Sequence, residues 1–263
     1  MNWIKLAVLL ILVGSATSCI GTKKLTYLQE SEQQIDSLMN IRQIQKPYRV
    51  QTSDLLSIRI KALDQELVGM FNPISDGGLN ATGEERLYYD GFLVDNHGNI
   101  RVPTLGEINV LGFTLEEIRL KIEEELLTNY FKKESKIFVT VKLAGIRYTT
   151  IGEIGPGSQV IYKDQVTIME AVANAGDIML TGDRTDVVIL RQYPGGQKVH
   201  HIDLTAIDAI NSPYYYIQPN DLIMVKPLPQ KSLGFGVNGL ETLAAIASVV
   251  TLFTSIIILS TRL

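Results

Sequence analysis

The sequence predicts an α+β chain that ends in a membrane-spanning helix. Three patterns carry this expectation. Between residues 47 and 228, short alternating strands are interrupted by only two segments with helix-capping signatures, the balance expected of mixed folds. From Thr242 to Thr261 the chain holds no charged residue. A shorter apolar run, Leu6 to Val13, stands near the start and is followed by the only cysteine of the 263 residues, Cys19. The 46% hydrophobic content is therefore an average over unlike regions. A formal charge of −4 argues against a nucleic-acid binder, which would carry a basic surface to neutralise phosphates.

Met1 to Lys5 supplies a short positive region and Leu6 to Val13 an apolar stretch too short to span a bilayer, the anatomy of a secretory signal. Small residues, Gly14 to Ser18, lead directly to Cys19. A lone cysteine forms no internal disulfide, so its place after the apolar run is the informative fact. Residues 1–18 resemble a bacterial lipoprotein signal, with Ala16 where leucine is commoner, and Cys19 is the expected site of lipid attachment. Removing the signal also removes Trp3, the only tryptophan and the best stacking platform for sugars or cations. Residues 19–46 are polar with scattered apolar positions and read as a tether with little core.

At Pro47 the pattern changes. Leu56-Ser57-Ile58-Arg59-Ile60-Lys61 alternates as a half-buried strand does. Gly69 to Arg86 is rich in Asn, Gly and Pro and reads as a long exposed loop. Gly91 to Pro103 predicts two short strands joined by an Asn-His-Gly turn, with Gly98 supplying positive φ. Thr114 and Glu117 have capping-box spacing, and Leu115, Ile118, Ile122 and Leu126 line one face of the helix that follows. Ile137 to Leu143 alternates as another strand, and a second unit is expected to start near Ile146. Gly152 to Gly157 has the glycines of a phosphate loop but lacks the Lys-Ser/Thr pair, so strand and turn are expected there. Thr167 and Glu170 repeat the capping box, and Asn174-Ala175-Gly176 ends that helix. Val187–Gln192 and Lys198–Asp203 predict a hairpin, and Tyr214–Ile217 and Leu222–Val225 two further strands.

The C-terminal run of 20 uncharged residues is long enough, at ~1.5 Å per residue, to cross a ~30 Å hydrocarbon core. A transmembrane helix is expected over residues 240–262, after a linker at 229–239. On a helical wheel Ala244, Ser248, Thr251 and Ser255 share one arc, and Leu243, Ile246, Val249, Val250, Phe253 and Ile257 lie opposite. The small polar stripe has two readings. It belongs to a plain anchor or helix-packing face whose hydroxyls bond back to their own carbonyls, or it faces water, with Ser248, Thr251 and Ser255 as candidate pore-lining residues.

No catalytic chemistry is legible. His200 and His201 are neighbours on a predicted strand and point to opposite faces, His97 sits in a turn, and no nucleophile elbow appears. No cofactor, metal site or catalytic residue is expected, and the chain does not read as an enzyme. Tyr214-Tyr215-Tyr216 reads as a half-buried strand, with a sugar contact or an interface as the alternative.

Several pieces resemble the outer-membrane polysaccharide export (Wza-like) family in its Bacteroidetes form. Tyr48 to Ile58 is similar to the opening of its export domain, and Gly91 to Gly106 with Gly112 to Glu117 to that domain's central motif. Ile151–Gly157, Thr167–Gly176, Ile202–Leu204 and Tyr215–Val225 resemble one β-grasp ligand-binding (SLBB) repeat, with Asp177 where the family often has another glycine. The resemblance implies an export domain at 47–145, an SLBB β-grasp domain at 146–228 and a ring of identical subunits whose C-terminal helices line an outer-membrane pore for capsular or exopolysaccharide. It also implies an inner-membrane polysaccharide co-polymerase as partner, and a chain lipid-anchored and single-pass in the outer membrane with its soluble domains in the periplasm. The competing reading is a lipid-anchored periplasmic binding protein for a soluble glycan or small ligand.

Overall fold

The computed structural model describes residues 22–30, 47–62, 66–72, 89–131 and 136–232, together with 244, 247–252, 254–255 and 258–259 of the C-terminal stretch. The signal segment 1–18 and Cys19 lie outside the described residues. Mixed α+β structure is observed, with ten strands and two α-helices of seven or more residues among the described residues of 47–232.

Two hydrophobic clusters divide the described chain, one formed by buried residues from Val50 to Val141 and the other from Ile146 to Val225. In the first, β1 (Leu55–Lys61) lies between β2 (Phe92–Leu93) and β5 (Phe138–Leu143), all antiparallel. The alternation of β1 turns Leu56, Ile58 and Ile60 inward and Ser57, Arg59 and Lys61 outward, as a half-buried strand requires. Helix α1 (Leu115–Asn129) buries Ile118, Ile122 and Leu126, each burial contributing roughly 1.5–3 kcal/mol. Its start is the predicted capping box: Thr114 Oγ1 accepts from Glu117 N and Glu117 Oε2 accepts from Thr114 N.

Some local expectations change partners in the fold. The two strands around the Asn-His-Gly turn do not pair with each other. Instead β2 joins β1, while β3 (Asn99–Val102) forms its own hairpin with β4 (Gly106–Asn109). The turn itself stands, because Asp95 Oδ1 accepts from both His97 N and Asn99 N, and Gly98 takes φ +81° where an added Cβ would meet Leu111 Cβ at 2.4 Å. The stretch expected as exposed from Gly69 contributes to the core at its near end. Phe71 is buried and packs edge-on to Tyr130 at 5.2 Å between ring centroids, which outweighs the turn-forming neighbours. Residues 73–88 of that loop lie outside the described residues.

The second cluster is built on a five-stranded sheet. Its members are β6 (Ile146–Gly152), β7 (Gly157–Ile161), β8 (Gly182–Tyr193), β9 (Gly196–Ile202) and β10 (Asp221–Pro227), in the order β7-β6-β10-β8-β9. The central pair β6–β10 is parallel and the others antiparallel. Helix α2 (Ile168–Asn174) carries the second capping box and is pinned to the sheet by Tyr148, whose buried hydroxyl donates to Ala171 O at 2.8 Å. The expected strand at Tyr214–Ile217 reduces to a single bridge between Thr167 and Tyr216, because the chain turns at Ser212–Tyr215 to reach β10.

Gly152 ends β6 at φ +90°, and a Cβ there would lie 2.1 Å from Val225 O of β10. Positive φ and a backbone collision act together, so Gly152→Ala is expected to lower unfolding stability by about 3 kcal/mol. Gly195→Ala, with open space around it and no positive φ, serves as the near-neutral control. Urea denaturation of both variants checks this, and equal midpoints would refute the packing argument.

The polar segment expected to be a tether docks in part. Leu28 N donates to Leu204 O, Gln29 N to Thr205 O, and Ile207 N to Gln29 O, adding an extended piece beside the second unit. Tyr27 reaches Asp177 Oδ1 with its hydroxyl at 2.5 Å, and the buried Arg184 guanidinium lies 5.2 Å from its ring centroid. Burial pushes the Tyr27 phenol up to about 12. Asp177 takes φ +71°, the backbone that glycine adopts without strain.

Candidate functional site

Two regions are candidates: the C-terminal helical stretch and the junction between the two clusters. In the first, Ser248, Thr251 and Ser255 are exposed and helical. Ser248 Oγ donates to Ala244 O at 2.9 Å, Thr251 Oγ1 to Ser248 O at 3.1 Å, and Ser255 Oγ to Thr251 O at 2.7 Å. Each hydroxyl proton is thus directed to the helix's own carbonyls. Val249, Val250, Leu252, Ile258 and Leu259 are also exposed. Among the described residues no helix is long and apolar enough to cross a membrane, and much of the expected span at 240–262 lies outside them.

The junction was not anticipated. Asp54, only 2% exposed, accepts from Tyr48 Oη at 2.6 Å and from Gln51 N at 2.8 Å through Oδ2, while Asn220 Nδ2 approaches Oδ1 at 3.4 Å. No cation pairs with it among the described residues, so burial pushes its carboxyl up to about 6. The Tyr48 phenol is raised as well, by burial first and then by the Asp54 charge. Beside them Arg191 grips Asp221 with two hydrogen bonds, Nε to Oδ1 at 3.0 Å and Nη2 to Oδ2 at 2.7 Å, and also donates to Tyr216 O at 2.9 Å. Both side chains are almost fully buried, at 4% and 0% exposure.

A cleft of about 540 Å³ opens at the same junction, between Tyr48 and Arg49, the first turn of α1 at Thr114–Glu117, and Gln218–Pro219. Its charges are already engaged: Arg49 Nη1 donates to Gly112 O at 2.6 Å and stands 3.4 Å from Glu117. The histidines are dispersed as expected from their spacing. His200 stacks on Tyr214 at 3.9 Å with its pKa lowered by burial and by Arg191, whereas His201 contacts Asp186. No group of three metal-ligating side chains is found among the described residues.

Residues 42–143, a span that contains the whole first cluster, match the family model described as polysaccharide biosynthesis/export protein. Residues 42–143 belong to the polysaccharide export family. It is an export family rather than an enzyme family. The EPS I polysaccharide export outer membrane protein EpsA of Ralstonia solanacearum is 30% identical over 190 residues, covering 69% of this chain and 48% of that protein. Its counterpart in Ralstonia nicotianae is 28% identical over 158 residues, covering 55% and 39% respectively. The chain thus spans about half or less of the length of these curated relatives.

Proposed function

We propose that this chain is a subunit of an outer-membrane channel that passes capsular or exopolysaccharide from the periplasm to the cell surface. The observation that carries the proposal is the match of residues 42–143 to the export family, joined to relatives named as polysaccharide export outer membrane proteins. The second unit, 146–228, is read as a β-grasp SLBB domain. Its parallel central pair β6–β10, flanked by hairpins and crossed by α2, supports that assignment. Cys19 is the proposed lipid attachment site and 240–262 the proposed spanning helix.

In this reading identical subunits assemble in a ring with Ser248, Thr251 and Ser255 inward. Neutral hydroxyls that already donate to their own helix line a wall along which a hydrated polymer slides without being bound tightly. An inner-membrane polysaccharide co-polymerase is the proposed partner. Deleting Leu240–Leu263 is expected to abolish surface polysaccharide while leaving both soluble units folded by circular dichroism; undiminished surface polysaccharide would refute the channel. The cleft of about 540 Å³ favours a second reading, a lipid-anchored glycan-binding protein. Size separates the two: a discrete ring in detergent supports export, and a monomer at all concentrations supports binding.

A further inference from the structure

We infer that the outward face of the β2-β1-β5 sheet is a binding track for an acidic polysaccharide, an assignment that rests on the export reading and names its substrate class. The strand register places Lys61 opposite Phe138, Arg59 opposite Thr140, Ser57 opposite Lys142, and Leu55 opposite Leu93. These eight residues are the outward positions of the three strands, their neighbours Leu56, Ile58, Ile60, Phe92, Val139 and Val141 being buried. Three are cationic and none is acidic. In a chain of formal charge −4, that concentration of positive charge is not a by-product of general basicity.

The cations are available. Arg59 and Lys61 form no ion pair among the described residues, and Lys142 meets Asp164 only at 3.5 Å with both side chains well exposed, a pairing worth little. From Leu55 to Lys61 the strand rise gives a strip about 20 Å long. At its Lys61 end Phe138 is 64% exposed. At the other end the strip runs into a crevice of about 130 Å³ bordered by Leu55, Leu93, exposed Arg147 and Tyr162. The order along the face is therefore aromatic, cationic with interspersed hydroxyls, apolar at Leu55 and the exposed Leu93, then cationic and aromatic again.

This arrangement suits a linear polyanion whose rings have apolar faces. Carboxylates or other acidic substituents meet Arg59, Lys61, Lys142 and Arg147, hydroxyls meet Ser57 and Thr140, and ring faces lie on Phe138 and Tyr162. A folded protein partner fits less well. Specific protein interfaces concentrate their apolar residues in a central, charge-poor patch, whereas here the aromatics stand at opposite ends and the charges between them. Weak contacts of this kind release the polymer readily, and repetition around a ring multiplies them.

The test uses the full-length protein in detergent with polygalacturonate as the acidic probe, dextran as the neutral one and polyglutamate as an acidic peptide. Polygalacturonate is expected to bind most tightly, polyglutamate more weakly through charge alone, and dextran not at all. Affinity should fall about tenfold or more between about 0.05 and 0.5 M NaCl, and similarly in the double variant Arg59→Ser, Lys61→Ser. Phe138→Ser should weaken binding without changing its salt dependence, and Lys198→Ser, on the distant β9, should leave it intact. Because the substituted side chains are exposed, the fold is retained, which circular dichroism verifies. Equal binding of dextran, stronger binding of polyglutamate, or wild-type affinity in the double variant would each overturn the track. If the Leu240–Leu263 deletion abolishes surface polysaccharide and polygalacturonate nonetheless fails to bind, the track alone is wrong; if the deletion leaves surface polysaccharide intact, the export reading falls.

Discussion

Asp221→Ala is expected to cost about 3–5 kcal/mol, enough to leave much of the second unit unfolded at moderate temperature. The carboxylate accepts from Arg191 at two points and from Gln218 N at 2.7 Å, and its removal leaves the Arg191 guanidinium buried with Tyr216 O as its remaining polar contact. The loss is chiefly the penalty for an uncompensated charge rather than the worth of the pair. Replacing both partners, Arg191→Met with Asp221→Leu, is therefore expected to recover most of the stability. Urea denaturation reads both variants, and a loss below about 1 kcal/mol in Asp221→Ala would mean that water reaches the pair.

Asp54→Asn is expected to change how stability depends on pH. Asp54 has its ordinary value of 3.8 in the unfolded chain and about 6 in the fold, so between those values the folded state holds more protons than the unfolded state. Stability from this group is greatest below about pH 4 and declines as pH rises through 6, by up to about 3 kcal/mol across that interval. The carboxylates held low by partners act in the opposite sense. Glu170, lowered to about 2 beside Lys163, and Glu153, lowered beside Lys231, contribute above their ordinary values and lose that contribution only in more acid solution. The neutral amide introduced by Asp54→Asn can still accept from Tyr48 and Gln51. The unfolding free energy of this variant should stay flat between about pH 4.5 and 6.5, where the wild type declines; parallel curves would show Asp54 to be solvated.

How far the fold could be read in advance follows the range of the interactions. Thr114–Glu117 and Thr167–Glu170 lie three residues apart, and both capping boxes form as expected. Strand alternation placed Ile58 and Val139 inward because period two is a property of the strand itself. Strand partners are a different matter. Gly91 to Pro103 looked like one hairpin, yet β2 pairs with β1 from more than thirty positions earlier in the chain, a choice made by core packing. Phe71 was hidden among turn-forming residues, and its ring contacts come from Tyr130 and Phe131.

The junction was legible only in part. Arg191 follows the apolar run Val187–Leu190 at the same parity as the buried Val187 and Ile189, which marks an inward charge in need of a partner. Asp221 is thirty residues away, and nothing local links the two. For the polar stripe of the C-terminal stretch, helical spacing leaves two readings open, and the hydroxyls of Ser248, Thr251 and Ser255 bond back to their own helix carbonyls, as the first of them expects.

The docking of Tyr27 to Gln29 has a mechanical consequence. Tyr27 lies eight residue steps after Cys19, and a fully extended chain of that length reaches at most about 29 Å. If Cys19 carries lipid, its anchor is on a short leash to the five-stranded sheet, and the second unit hangs close beneath the bilayer. Tension on that leash enters the protein through the bonds of Leu28 to Leu204 and Gln29 to Thr205. Such a load would fall on the five-stranded sheet of the second cluster and bypass the three-stranded sheet of the first.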